Sequence, residues 1–232
     1  DEERIVAAHV LPSIEALGWL KSHNLTRWCD LGSGGGFPAL PLVICGLGEA
    51  WDLVESRRTK TLFLMRAIGE LKLAGVRVLT ARIEDLIARL GSLQVGAAGS
   101  GAVAPGSAGG EAAGPDGASE DVESWGDASV DAIDDAGAEL RDDSQPAMRD
   151  EPTQVLAPPY DGFTSRATLS LAPTLEYAAR IVRPGGGAFL WKGSQLAAEA
   201  EKSSEWRGYW EPGESKTLSI EYSVVANFKR RS

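Results

Sequence analysis

The sequence predicts an α/β fold built around a mostly parallel sheet, and two observations support this prediction. Short apolar runs with strand character alternate with longer segments of helical periodicity, as expected for parallel strands joined by helices. A glycine-rich stretch at 32–36 follows one apolar run directly and precedes a helical segment. In open sheets of this kind, ligands bind beyond the carboxyl ends of the strands. The residues that end strands are therefore the candidate site residues.

The first part of the chain alternates regularly between helix and strand. Apolar residues at 64, 67, 68 and 71 fall on one helical face, and Thr59 is a candidate N-cap for that helix. The predicted elements are a helix over 5–21, a strand over 28–31, a helix over 38–45, a strand over 51–55, a helix over 59–73, a strand over 76–80 and a helix over 84–90.

The last part of the chain continues the alternation and ends in an antiparallel pair. Pro184-Gly185-Gly186-Gly187 is expected to stop a helix and reverse the chain before the next strand. The predicted elements are a strand over 160–165, a helix over 173–182, a strand over 188–192, a helix over 194–205 and a closing pair over 206–211 and 219–228.

Between these two parts lies a segment of different composition, from about residue 91 to 153. It is rich in Gly, Ala, Ser, Asp and Glu, and it holds 14 acidic residues and two arginines. The rest of the chain has 19 acidic residues and 21 Lys and Arg, so the segment has a net charge of −12 and the rest one of +2. We expect a single domain over 1–232, interrupted here by a disordered insertion.

The composition also bears on several other classes of protein. Cys29 and Cys45 stand 16 residues apart without further ligand-type neighbours, which favours two small apolar residues over a disulfide framework or a metal site. No apolar run approaches the roughly 20 residues that a membrane span needs. We therefore expect a cytoplasmic protein with no metal and no membrane partner.

The glycine-rich turn is the most informative motif. Its pattern is D-x-G-x-G-x-G, formed by Asp30, Gly32, Gly34 and Gly36. In a nicotinamide-binding fingerprint counted from Gly32, the last small position would be Phe37, and an aromatic ring there disfavours close packing of strand and helix. The pattern instead resembles motif I of class I methyltransferases, in which the acid helps to anchor the methionine moiety of S-adenosylmethionine. A purely structural turn is the alternative.

Two further strand ends carry acidic residues. Glu55 ends the second strand, 23 residues after Gly32, where a carboxylate can accept hydrogen bonds from both ribose hydroxyls of a nucleoside. Ile83 and Glu84 follow the third strand, at the turn that surrounds the adenine ring in class I methyltransferases. A solvated strand-end carboxylate and an ordinary acidic helix start are the alternatives for Glu55 and Glu84.

Basic residues near strand ends are candidates for substrate contacts. Arg166 ends the fourth strand, and a guanidinium there usually has an anionic or π partner. Arg57, Arg58 and Lys192 are candidate phosphate contacts, and His9 lies on the first helix among apolar neighbours. Each also has a plain structural interpretation: a surface salt bridge for Arg166, solvated cations for the other three basic residues, and a packing or capping residue for His9.

Taken together, these motifs resemble the ribosomal RNA small-subunit methyltransferase G family. The resemblance covers most of residues 5–90 and 158–228, and its most specific parts are the Gly-Phe-Pro turn and the Ser-Arg-Ala element. The residues that carry it are Asp-Leu-Gly-Ser-Gly-Gly-Gly-Phe-Pro-Ala-Leu-Pro-Leu at 30–42, Leu-Val-Glu-Ser at 53–56, Lys60 with Phe63-Leu64, Ala-Arg-Ile-Glu-Asp-Leu at 81–86, Ser-Arg-Ala at 165–167 and Trp-Lys-Gly at 191–193.

The resemblance implies a class I methyltransferase fold, with a seven-stranded, mostly parallel sheet and an antiparallel closing pair. It implies a cofactor site for S-adenosylmethionine with Gly32 and Phe37 in the loop and Ile83 and Glu84 at the adenine. Arg166 would reach the cofactor or orient the target guanine. The chain departs from the family at Pro12, which replaces an acid on the first helix, and at Thr168-Leu169-Ser170-Leu171 after the Ser-Arg-Ala element.

The function implied by the resemblance is methyl transfer to N7 of a guanine in small-subunit ribosomal RNA. N7 carries an in-plane lone pair, so no general base is needed, and the sequence shows no obvious His/Asp or Cys nucleophile arrangement. The expected partner is ribosomal RNA or the small subunit, and we expect a monomer. Two alternatives remain: a class I methyltransferase acting on a small molecule or protein, and a non-catalytic module that has kept the fold.

Overall fold

The computed structural model describes residues 2–98, 155–166, 168–219 and 223–232. One compact unit comprises residues 1–99 and 152–232, and the described residues belong to it. The predicted disordered insertion at 91–153 lies outside the described residues, except for its first eight positions. There the chain is helical, so the helix predicted to end at residue 90 continues to Ala98.

A single mixed sheet forms the centre of this unit. Its strands follow the order β3-β2-β1-β4-β5-β8-β6, with the short β7 paired to β8. Neighbours from β3 to β5 are parallel, while β8 is antiparallel to β5, β6 and β7. The strands are β1 Arg27–Leu31, β2 Ala50–Glu55, β3 Val76–Thr80, β4 Tyr160–Arg166, β5 Val182–Lys192, β6 Trp210–Pro212, β7 Lys216–Thr217 and β8 Val224–Arg230.

The predicted α/β fold with an antiparallel closing pair is confirmed. The described strands number eight, one more than predicted, because the two-residue β7 joins the edge. The chain runs outward from β1 to β3 and then returns to add β4 on the other side of β1. The carboxyl ends of β1 and β4 therefore flank the topological switch point, where sheets of this kind bind ligands.

Helices cover both faces of the sheet. One core cluster includes Leu86, Leu171 and Leu175, and the other includes Leu40 and Leu64, so the sheet lies between two helical layers. The α-helices are α1 Glu2–Ile5, α2 Leu11–Glu15, α3 Leu17–Lys21, α4 Ala39–Ile44, α5 Arg58–Glu70, α6 Ile83–Ala98, α7 Leu171–Ile181 and α8 Leu196–Lys202.

The N-terminal helix is less regular than the prediction of one helix over 5–21. Residues Val6–Val10 form a π-helical turn between α1 and α2, and the helix breaks again at Ala16 before α3. A π turn adds one residue per turn and redirects a carbonyl, and such turns are frequent at functional sites. We call residues 2–21 the N-terminal helical segment.

Three other boundaries differ from the predictions for local reasons. Thr59 is not the N-cap of α5; Arg57 occupies the cap position, and its own side chain makes no capping hydrogen bond. Pro184 and the three glycines do not form a separate turn but lie within β5, as an irregularity where its pairing with β4 shifts. A 3-10 helix at Glu205–Gly208 replaces the beginning of the strand predicted at 206–211.

Within the described residues, no helix is long and apolar enough to cross a membrane.

Candidate cofactor and substrate site

The predicted site residues converge on the carboxyl ends of β1, β2 and β4. Asp30 and Leu31 end β1, Glu55 ends β2, and Arg166 ends β4. Because β1 lies between β2 and β4, the turn after β1 has a neighbouring strand end on each side. The parallel register thus brings residues that are far apart in the chain to one edge of the sheet.

The three glycines of the turn after β1 have separate structural roles. Gly32, Gly34 and Gly36 all have positive φ, of 69°, 51° and 89°, a region that glycine adopts without strain. A Cβ on Gly36 would lie 2.4 Å from Leu40 Cδ1, so this glycine allows α4 to approach the turn closely. A Cβ on Gly34 would meet only the Gly32 carbonyl, at 3.8 Å.

Gly32 lies close to the side chain of Thr168. A Cβ there would lie 2.2 Å from Thr168 Oγ1, so the space above Gly32 holds the Thr168 side chain. The same hydroxyl lies 3.0 Å from the Leu31 carbonyl, to which it donates a hydrogen bond. Of these three glycines, Gly34 is therefore the one that leaves open space for a ligand.

Asp30 is a buried carboxylate with one free oxygen. The residue is 1% exposed, and Oδ1 accepts a hydrogen bond of 2.6 Å from the hydroxyl of Thr164 on β4. Oδ2 is buried and has no hydrogen-bond partner among the described residues. Burial raises the pKa of this carboxyl to about 6, an effect that the hydroxyls of Ser33 and Thr164 oppose and the charge of Glu55 reinforces.

Glu55 joins the turn after β1 to the start of α5. Its Oε2 accepts a hydrogen bond of 2.9 Å from the Gly34 amide, and its Oε1 accepts one of 2.8 Å from the Arg57 amide. Each carboxylate oxygen can accept a further hydrogen bond. Glu55 therefore shapes the turn and keeps acceptor capacity at the place where ribose hydroxyls are predicted.

Ile83 and Glu84 stand at the start of α6, beyond the end of β3. Ile83 is buried in the core cluster that contains Leu86, while the Glu84 carboxylate accepts a hydrogen bond of 3.1 Å from the Tyr177 hydroxyl of α7. Ile83 thus has a clear packing role and Glu84 a contact between helices. Their predicted position beside an adenine ring stays a prediction.

Arg166 lies beneath the N-terminal helical segment. Its Nη2 donates a hydrogen bond of 2.9 Å to the carbonyl of Ala8 in the π turn, while its Nη1 is buried without a partner among the described residues. Burial lowers the pKa of Arg166. The guanidinium is therefore held in place and keeps unused donors, which suits a group that recognises a ligand.

His9 contacts the glycine-rich turn through Phe37. Their ring centroids lie 5.2 Å apart with the planes tilted by 30°. Burial and, secondarily, the charge of Arg166 lower the pKa of His9, so its imidazole is neutral at pH 7. His9 therefore packs against Phe37 of the glycine-rich turn, and its lowered pKa favours the neutral imidazole.

The predicted phosphate contacts have different environments. Arg57 and Arg58 are exposed at the start of α5, next to Glu55. Lys192 is only 11% exposed, because its ammonium forms an ion pair of 2.8 Å with Glu199 and donates to the Leu169 carbonyl at 2.9 Å. Two of the three N–H donors of Lys192 are therefore used within the protein.

Sequence reasoning missed Thr164, Thr168 and Ala8 as parts of the site. Thr164 contacts Asp30 across 134 positions of the chain, and Arg166 contacts Ala8 across 158. These contacts depend on the pairing of β4 with β1 and on the path of the N-terminal helical segment. The unusual stretch after Arg166 was the one local signal, since Thr168 belongs to it.

One cavity lies away from the site, at the amino ends of β1, β2 and β3. It has a volume of about 340 Å³, and Arg27, Trp51 and Arg77 are among the residues that line it. Asp52 at its wall is held by two hydrogen bonds from Arg77 and one from the Tyr160 hydroxyl. We interpret this network as structural. The described residues contain no cluster of three or more potential metal ligands.

The architecture resembles that of solved methyltransferases. A solved magnesium protoporphyrin IX methyltransferase from Synechocystis PCC 6803 with bound SAM superposes with a TM-score of 0.54. The match covers 98% of this chain and 82% of that one, at 12% identity. The fold is therefore that of class I methyltransferases, as predicted.

The sequence comparison then finds similarity to one family over the first part of the chain. Residues 1–107 match the family model described as rRNA small subunit methyltransferase G. The enzyme of that name from Stutzerimonas stutzeri is 38% identical over 85 residues, and that from Pseudomonas entomophila is 37% identical over 87 residues. The predicted resemblance to this family is confirmed over the matched residues.

The extent of these matches is limited. Each of the two alignments covers 37% of this chain and 39% of the relative. The alignments thus span about two fifths of the length of these relatives. The match to the family model ends at residue 107, inside the acidic segment.

Proposed function

We propose that this chain transfers a methyl group from S-adenosylmethionine to N7 of a guanine in small-subunit ribosomal RNA. The observation that supports this most strongly is the buried Asp30 carboxylate with one free oxygen, next to the open Gly34 turn and the Glu55 carboxylate. The names of the relatives that match the chain support the RNA substrate.

The residues present fit this cofactor. The free Oδ2 of Asp30 is a suitable partner for the ammonium group of a methionine moiety, since a buried carboxylate oxygen gains most from a cationic donor. The remaining acceptor capacity of Glu55 suits ribose hydroxyls, and Gly34 lets a ligand lie against the backbone. When bound, the cofactor supplies an electrophilic methyl group on a sulfonium.

The protein's own contribution would be alignment, because guanine N7 is nucleophilic without deprotonation. Neither the carboxylates of the site nor the imidazole of His9 is therefore required to act as a general base. Arg166 retains donors that can bind guanine O6 and so orient the base with N7 free. A base that reaches the buried Nη1 must displace the groups that cover it.

Substrate binding would rely on exposed cations beside the cofactor site. Arg57 and Arg58 at the start of α5 lie on the side of Glu55, where an RNA backbone could run past the turn. Phosphate contacts of this kind carry affinity and not sequence specificity. The proposal includes a cytoplasmic location, where ribosomal RNA is found, and a monomeric enzyme.

The proposal is tested by cofactor binding and methyl transfer together. Calorimetry with S-adenosylmethionine should show binding at one site, and Asp30→Ala should abolish it while Glu201→Gln on α8 leaves it unchanged. Tritiated methyl groups should then appear on small-subunit RNA and not on large-subunit RNA. Binding without transfer to any ribosomal RNA would contradict the RNA substrate and favour a small-molecule or protein acceptor. Absence of binding would reject the enzymatic function as a whole.

A further inference from the structure

We infer that Thr164 is a positioning residue for Asp30: its hydroxyl fixes the carboxylate so that the second oxygen faces the cationic part of the cofactor. This inference rests on the proposed function, because it concerns the same cofactor site. Thr164 precedes the Ser-Arg-Ala element and lies outside the glycine-rich turn, so neither motif includes it.

The sheet register places the two residues side by side. β1 and β4 pair in parallel with Asp30 opposite Thr164 and Leu31 opposite Ser165. Thr164 is fully buried, and its hydroxyl donates the 2.6 Å hydrogen bond to Asp30 Oδ1. A hydroxyl has a single proton to donate, and a β-branched side chain has few rotamers. The carboxylate is therefore held at a fixed rotation about its Cβ–Cγ bond.

The geometry leaves the two oxygens of Asp30 with different roles. Oδ1 is bound to Thr164, while Oδ2 is buried with no partner in the described part of the chain. Burying an unpaired carboxylate oxygen is unfavourable unless a donor arrives, and an ammonium group is the donor that compensates best. Without Thr164, Oδ1 would lack its donor too, and the carboxylate could rotate.

The hydroxyl also favours the ionised form of Asp30, which binding of a cation requires. The groups that act on this carboxyl are the Ser33 and Thr164 hydroxyls, which lower its pKa, and the Glu55 carboxylate, which raises it. The neighbouring Cys29 is a neutral thiol, because burial raises its pKa well above the usual value. Ser33 Oγ donates to the main-chain carbonyl of Asp30, so Thr164 is the hydroxyl bound to the carboxylate itself.

The test compares Thr164→Val and Thr164→Ser with wild type in the chain of 232 residues. Valine keeps the shape and removes the hydroxyl, and serine restores the hydroxyl. Thr174→Val is the matched control, because Thr174 is an equally buried threonine on α7 whose hydroxyl bonds to a main-chain carbonyl. Thr164→Ala removes the same hydroxyl and replaces Thr164→Val if the melting curve of the latter shows no folded state.

Two ligands separate positioning from general damage. S-adenosylmethionine carries the ammonium group, whereas 5′-methylthioadenosine has the nucleoside and thioether without the amino-acid part. At pH 7, Thr164→Val should bind S-adenosylmethionine about tenfold more weakly than wild type, with Thr164→Ser close to wild type. As the pH is lowered, the affinity of Thr164→Val for S-adenosylmethionine should begin to fall at a higher pH than that of wild type. The reason is that loss of the Thr164 hydroxyl raises the pKa of Asp30. The affinity for 5′-methylthioadenosine should stay unchanged.

Equal weakening for both ligands, or no weakening for either, would overturn the inference. The same would follow if the pH profile of S-adenosylmethionine binding were identical in wild type and Thr164→Val. This inference rests only on the cofactor-binding part of the proposed function. Failure of that part gives a different result, since the wild-type protein itself would then bind neither ligand.

Discussion

At the scale of single residues, the buried charge of Asp30 is unfavourable for folding. Its carboxylate is buried, has one donor, and lies near the like charge of Glu55. A carboxyl whose pKa is raised by folding binds protons more tightly in the folded state, so stability falls as pH rises towards about 6. This cost is consistent with a residue kept for binding a cation.

Replacing Asp30 by Asn should therefore stabilise the ligand-free protein above pH 7. The amide can still accept the hydrogen bond from Thr164 but carries no charge. The gain in unfolding free energy should be on the order of 3 kcal/mol, since folding raises the pKa from 3.8 to about 6 and each pKa unit corresponds to about 1.4 kcal/mol. Thermal melts of both proteins between pH 4 and 8 measure it, and the difference should shrink towards pH 4. A variant less stable than wild type at pH 8 would contradict this account.

The glycines give a second residue-scale prediction, because two of them share a backbone conformation and differ in their surroundings. Gly36→Ala places a Cβ against Leu40 and Leu64, so overpacking adds to the strain of positive φ, and stability should fall by about 2–4 kcal/mol. Gly34→Ala meets open space and should cost about 1 kcal/mol, yet weaken cofactor binding strongly. Chemical denaturation and calorimetry measure the two effects. Equal stability losses would contradict the assigned roles.

The residue types of the site could be predicted from the sequence, whereas the separate structural role of each residue could not. Asp30, the glycines and Glu55 stand in a recognisable order, and the structure brings them to one sheet edge. Thr168 fills the space above Gly32, however, and no local pattern around Gly32 indicates this. Such contacts depend on which strands become neighbours, and pairing of β1 with β4 joins segments more than 130 positions apart.

At the scale of elements, the N-terminal helical segment is held against β4, β5 and the loop after β7 by hydrogen bonds. Arg166 donates to Ala8, and Trp191 Nε1 donates to the Pro12 carbonyl at 3.3 Å. Glu15 accepts hydrogen bonds of 2.9 and 2.8 Å from the Ser219 amide and hydroxyl. The helical character of the segment could be predicted, but the π turn could not, because its apolar spacing differs little from that of an α-helix.

A second set of element contacts ties α8 to the start of α7. The Glu199 carboxylate accepts a hydrogen bond of 2.6 Å from the Leu171 amide at the first turn of α7 and forms the ion pair with Lys192. A carboxylate at a helix N-terminus satisfies a free amide and interacts favourably with the helix dipole. Glu199 thus takes the place of the side-chain cap that Ser170 does not provide.

Glu199→Ala should accordingly destabilise the protein by about 1–3 kcal/mol, because the Leu171 amide and the Lys192 ammonium both lose their partner. Glu201→Ala on the same helix, at an exposed position, should change the unfolding free energy by less than about 0.5 kcal/mol. Urea unfolding compares the two variants. Similar values for both would show that the ion pair and the helix-start contact contribute nothing to stability.

At the scale of the whole molecule, charge is divided between two parts of the chain. The acidic segment carries a net charge of −12, and the remainder carries +2. The overall acidity would oppose binding to RNA, while the part that contains the site is slightly basic. The candidate site residues all lie outside the acidic segment. The acidic segment can therefore be removed without removing any of them.

Replacing residues 100–151 by a short Gly-Ser linker should therefore leave methyl transfer to the correct RNA intact. It should strengthen non-specific RNA binding at low salt, because the deletion removes a net charge of −12. Filter binding over a salt series and a methyl-transfer assay measure the two effects. Loss of activity in a folded deletion variant would contradict the separation of charge and chemistry.

The measurement that tests the central claim most directly is the identity of the methylated nucleoside. Small ribosomal subunits, or their deproteinised RNA, lacking N7-methylguanosine would be incubated with tritiated S-adenosylmethionine and this protein, digested to nucleosides and separated. The account predicts label in 7-methylguanosine with wild-type protein and its loss with Arg166→Ala, whose melting curve shows that it is folded. Label in any other nucleoside, or equal label with Arg166→Ala, would contradict it.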